Sequence, residues 1–270
     1  MPIEGITRFC FAASYSLAFL LELARIPWPA RGWQVAGWVA GGAGLFAHTA
    51  YLLMHRPSPA TPTGSLLILS WVLAVFFLYG TLHHRKSAWG LFVLPLVLIL
   101  VGLSVLFAGG DYADWKVLTS QRSWGIIHGG LMLLAAIGVC VGCVSSVMYL
   151  IQSRRLRRKS LGKHGVPLMS LERLERMNRR AIDWAFPLWT AGLLLGAVLM
   201  YVNRAQLSDW AALKVAGTGG LWVVFLLLMY LRYGAHLPGR RLSMLTIVAF
   251  LLMLVTMAAS HEFAVPGGSA

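Results

Sequence analysis

Of 270 residues, 58% are hydrophobic and only 12% are charged, whereas a soluble globular chain carries about 25% charge. That deficit excludes the soluble enzyme classes and predicts an all-α, polytopic membrane helix bundle forming one integral-membrane domain over residues 1–270. The net charge of +14 would suggest nucleic acid in a soluble chain, but here the cations fall between apolar runs. There they set topology and meet anionic headgroups, so the expected partner is the lipid bilayer and no nucleic acid.

Hydropathy predicts eight transmembrane helices: Ile6–Leu23, Trp33–Leu53, Gly64–Leu82, Ala88–Ala108, Trp124–Ile151, Ile182–Val202, Gly219–Leu231 and Leu242–Ser260. The first run lacks a basic start and a small-residue cleavage site, so it reads as a retained span rather than a signal peptide. Seventeen of the 23 Lys and Arg residues follow spans 1, 3, 5 and 7. The bias places those loops in the cytoplasm and both termini outside. Trp115, Trp124 and Trp210 then fall at the outer interface, as an aromatic belt requires.

The fifth span organises the rest. From Trp124 to Ser153 it carries no formal charge, enough helix for about 45 Å, and it empties into Arg154-Arg155-Leu156-Arg157-Arg158-Lys159. The segment 152–181 is accordingly a basic cytoplasmic loop. Within it Ser170 can cap a helix whose Leu171, Leu174, Asn178 and Ala181 share a face, with Arg173, Arg176, Arg179 and Arg180 mostly elsewhere. Two readings stay open: an amphipathic helix lying on the membrane surface, or a positive loop that sets topology and does nothing further.

Ionisable groups inside a bilayer are costly, so each histidine there is a functional candidate. His48 lies about 22 Å up span 2 from Trp33, and His55 follows on the same face at the outer rim. His128 sits roughly 6 Å below the outer start of span 5. His261 follows span 8, also outside, whereas His83, His84, His164 and His236 are cytoplasmic. Three spans distant in sequence thus deliver imidazoles to one leaflet. Imidazoles on opposite faces of an iron porphyrin hold haem without a covalent bond, which predicts non-covalent haem b with His128 and His261 on the iron. Arg56, Arg122 and Arg204 at the same rim can pair with its propionates.

Trp124-Gly-Ile-Ile-His128 resembles the W-x-x-x-H that opens a long helix in the cytochrome c assembly proteins of the CcsA/HemX type. The run from Val166 through Leu171-Glu172-Arg173-Leu174 to Ala181, leading into Thr190-Ala191-Gly192 and Gly196, is similar to that family's signature. So are Gly239-Arg240-Arg241 before the last span and Phe46-Ala47-His48 in the second. The resemblance implies haem-handling at the outer face of the bacterial cytoplasmic (inner) membrane. His128 and His261 would be the external axial ligands there, His48 an embedded one, and Trp124 and His55 neighbours of the site. It also implies apocytochrome c and another cytochrome c assembly membrane protein as partners. Only Asp209-Trp210 stand where full synthetases carry a tryptophan-rich loop, so the resemblance is to the short branch, at most one part of a haem-attachment machinery.

Two other classes compete. A thiol–disulfide carrier would use Cys140-Val-Gly-Cys143, but that pair lacks the following histidine of covalent haem attachment and reads as small packing residues. A small-solute transporter would line a polar path with the same histidines, and should show interrupted spans in repeated halves. The glycine runs Gly41-Gly42-x-Gly44, Gly129-Gly130 and Gly192–Gly196 read as helix-contact grooves. No Ser/His/Asp or paired-carboxylate arrangement supports hydrolysis.

Overall fold

A computed structural model describes residues 7–28, 30–57, 62–83, 88–106, 120–158, 168–202, 209–235 and 237–259. Every element among them is helical: α1 Arg8–Ala24, α2 Arg31–His55, α3 Pro62–His83, α4 Gly90–Leu106, α5 Ser120–Arg157, α6 Leu171–Val202, α7 Asp209–Tyr233 and α8 Gly239–Ala259. Five of these, α3 and α5 to α8, are long and apolar enough to cross a membrane. The 17 residues of α1 and of α4 span about 26 Å, just short of a hydrocarbon core. The 25 residues of α2 reach further, but five glycines and two histidines dilute its apolar character.

Three helices run well past the hydropathy reading. Helix α5 begins at Ser120 and ends at Arg157, because nothing in its basic tail breaks a helix. Helix α7 begins at Asp209, ten residues before the apolar run. The amphipathic stretch from Leu171 is not a separate element, since it continues without a break into the apolar half of α6 despite Pro187. Hydropathy averaging cannot see either extension, because helix propensity, not apolarity, decides where the backbone bonds stop. At the end of α2 the stop is local. Arg56 turns left-handed (φ 41°, ψ 55°), donates its N–H to Leu52 O at 2.9 Å, and Pro57 bars another turn.

The helices alternate in direction and fall into two groups. α1, α2, α3 and α4 close around Phe11, Tyr15, Leu67, Phe77 and Leu94, all fully buried. α5 packs on α6 and α8, with α7 completing the second group, and α3 and α4 meet α5 between the groups. Small residues let the backbones approach. In α2 a Cβ added to Gly44 would lie 2.8 Å from the Tyr15 ring, and one on Gly41 would lie 2.5 Å from Phe77.

The α5–α6 seam runs in one antiparallel register along its length. Ser146 faces Asn178, Gly142 faces Ile182, Gly138 faces Ala185, Met132 faces Gly192, and His128 faces Gly196. A Cβ on Gly138 would stand 2.9 Å from the main-chain oxygen of Ala181, so only glycine fits there. The ends of the bundle are thereby fixed. The C-terminal ends of α3 and α5 and the N-terminal ends of α4 and α6 share the arginine-rich end. His48, His55 and His128 belong to the opposite one.

Candidate functional site

His128 is seated by helix α6. Its Nδ1 lies 2.7 Å from Gly192 O, and a carbonyl oxygen can only accept, so Nδ1 carries the proton and donates. In its neutral form the ring then carries its lone pair on Nε2. This is how metal-ligating histidines are oriented, with the outer nitrogen held by a carbonyl and the inner one left basic. Gly196 makes room for the ring, since a Cβ there would lie 2.8 Å from Cε1. No described residue packs on the glycines of the other side of this helix end. Cβ atoms on Gly125, Gly129 or Gly130 would touch nothing within 4 Å, and Trp124, one turn earlier, is 53% exposed. A half-buried imidazole beside a glycine-lined helix surface on which no described residue packs fits a flat ligand with an iron centre.

His48 is placed differently. It is fully buried between α1 and α2, with Phe11 stacked on it at 4.1 Å and the Tyr15 hydroxyl 3.3 Å from Nδ1. Its Nε2 has no partner among the described residues. His55, exposed at the end of α2, donates from Nδ1 to Tyr51 O at 3.2 Å and stacks on the Tyr51 ring at 4.2 Å. Arg8 clamps that tyrosine, donating to its hydroxyl at 2.9 Å and to Ser104 O of α4 at 3.1 Å. Three described imidazoles therefore share an end of the bundle but not a seam: His48 and His55 belong to α1–α2 and His128 to α5–α6, whereas His83 closes α3 at the arginine-rich end. His261, Trp115, His84, His164 and His236 lie outside the described residues.

A second constellation escaped the sequence reading. Asn178 of α6, buried, donates to Gly142 O at 3.0 Å and to Ser146 Oγ at 2.8 Å on α5. Its Oδ1 accepts from Arg232 of α7, a guanidinium only 8% exposed, and Thr246 of α8 adjoins at 3.4 Å. All four helices of the second group meet there. Nearby, Tyr233 donates to Asp183 at 2.8 Å. Hydropathy files Arg232 with the loop charges that orient the chain. The available signal was Asn178 itself, an amide on the apolar face of an amphipathic helix. Glu22, which reads as interfacial, is 4% exposed beside Gly37 and Gly90, with Arg25 at 3.5 Å. Cys140 and Cys143 are buried free thiols.

The family model described as cytochrome C assembly protein matches residues 60–261, from the start of α3 to His261, and so contains His128 but leaves α1 and α2 outside. Curated relatives called cytochrome c biogenesis protein CcsA are similar to the chain. The Guillardia theta protein is 24% identical over 209 residues, covering 71% of this chain and 69% of its own. The Synechococcus sp. (strain JA-3-3Ab) protein is 25% identical over 241 residues, covering 69% of each. The Gloeobacter violaceus protein is 25% identical over 248 residues, covering 71% and 72%. No solved structure matches the chain. With most of its length under that one match, this membrane helix bundle belongs to the cytochrome c assembly protein family.

Proposed function

We propose that the protein holds or presents haem b, non-covalently, at the outer face of the bacterial cytoplasmic membrane during cytochrome c biogenesis. The chain crosses the membrane eight times with both termini outside, His128 and His261 ligate the iron, and Trp124 flanks them. The observation that carries this reading is the Nδ1–H bond from His128 to Gly192 O, which leaves Nε2 available beside glycines that no described residue covers. His48 is the embedded candidate, supported by its unpartnered Nε2, and reaching it requires Phe11 to swing aside. His55 and Arg56 stand at the rim, where a cation suits a propionate. Bound haem would supply the group destined for apocytochrome c, with a second assembly membrane protein as the other partner. The protein's own residues orient the imidazole, exclude water on the α6 side and leave the other side open.

Absorption spectroscopy of the purified full-length protein tests this. A Soret band is expected, lost in the His128→Ala, His261→Ala double variant and restored in part by added imidazole. A double variant that keeps the wild-type band sinks the ligand assignment. The competing thiol reading predicts the reverse sensitivity: Cys140→Ala with Cys143→Ala should leave the band intact here, because both thiols sit in packed helix contacts.

A further inference from the structure

A groove of about 740 Å³ opens at the arginine-rich end of the bundle, where α3, α4, α5 and α6 come together. Arg173, Arg176 and Arg180 line it at i, i+3 and i+7, a single stripe running about 10 Å along α6. The wall formed by α3 and α4 includes Trp89, which is 2% exposed, and whose Nε1 has no acceptor among the described residues. That nitrogen lies against Gly80, where an added Cβ would come within 2.3 Å of it. Packed there, the indole forms part of the groove's wall. Apart from Ser170 and Glu172 the remaining lining is largely apolar, with Val141 of α5 and the exposed indole of Trp184.

We propose that this groove binds an anionic phospholipid from the leaflet at the arginine-rich end, its phosphate held by the three guanidiniums and its chains against the apolar wall. Guanidinium forks match phosphate oxygens two at a time, and an exposed indole beside them sits where headgroup meets hydrocarbon. Basic recesses between membrane helices on the positive side recognise such headgroups. Glu172 tempers the site, because it already pairs with Arg176 at 2.5 Å and competes with the phosphate. The groove lining holds no imidazole or thiol among the described residues, which favours a lipid over a metalloporphyrin. The proposal stands independently of the His128 reading.

The test is native mass spectrometry of the full-length protein, delipidated in detergent and titrated with phosphatidylglycerol or phosphatidylcholine. Wild type should retain phosphatidylglycerol over phosphatidylcholine by at least about tenfold. Arg180→Gln should cut that preference by about fivefold, and the triple Arg173→Gln, Arg176→Gln, Arg180→Gln variant should abolish it. Glu172→Gln should strengthen it. Equal retention of the two lipids by wild type overturns the proposal, as does displacement of phosphatidylglycerol by millimolar inorganic phosphate at matched stoichiometry. Haemin that ejects the lipid, with the triple variant losing haemin retention instead, overturns it too. If the triple variant misfolds by circular dichroism, the wild-type headgroup comparison and Arg180→Gln decide.

Discussion

Asn178→Leu is expected to lower the stability of the bundle by about 2–3 kcal/mol, the range for leaving a buried charged donor short of a hydrogen-bond partner. The substitution is close in volume, so the loss comes from polar groups, not from a cavity. It removes the acceptor that Arg232 uses and leaves part of a nearly buried guanidinium without a hydrogen-bond partner. It also removes the amide donor that ties α6 to Gly142 O and Ser146 on α5. In thermal unfolding followed by circular dichroism the midpoint should fall by on the order of 10 °C. Arg232→Met should then recover much of the loss when combined with Asn178→Leu, because replacing both partners by apolar groups is close to neutral. Additive losses in the double variant, with no recovery, would show that the two side chains do not act as a unit.

Gly196→Val should weaken haem retention by about 10- to 100-fold, the usual consequence of disturbing the group that orients a metal-ligating histidine. A Cβ at this position already lies 2.8 Å from His128 Cε1, and the two methyls beyond it cannot coexist with the observed ring. The imidazole must leave the Gly192 carbonyl, losing both its orientation and the bond that keeps the proton on Nδ1. Gly129→Val serves as the counterpart. No described residue lies within 4 Å of that position, so the described fold accommodates the side chain, while the glycine surface next to His128 is covered. Retention should fall there with an unchanged unfolding midpoint. Unaltered haem spectra in both variants would remove the α5–α6 seam from the functional account.

Much of the architecture was legible because lipid leaves so few options. An apolar stretch must satisfy its own backbone bonds, so hydropathy alone located all eight helices. The ends of α6 and α7 were not legible in that way, because Leu171–Ala181 is amphipathic and the first turns of α7 are only moderately apolar. His128 was legible through its spacing from Trp124. Its orientation was not, since that depends on a carbonyl 64 residues away being brought across the seam. Gly192 and Gly196 had been read as a contact groove, and they are one, but the occupant of the groove is the candidate ligand. His48 looked equivalent to His128 from its depth. Only the three-dimensional partners Phe11 and Tyr15, from a helix outside the family match, separate the two. Arg232 was hidden for the opposite reason: a cation at a span end satisfies the topology rule so completely that burial is not suspected.

The continuity of α6 has a mechanical consequence. One unbroken rod of 32 residues, about 48 Å long, carries the arginine stripe at its lower end and the carbonyl that steadies His128 near its upper end. Pro187 interrupts the backbone bonds between them, five residues short of Gly192, and a proline at such a point is where helices bend. A tilt of the lower shaft about this pivot would shift the upper segment sideways, carrying with it the carbonyl that holds the imidazole.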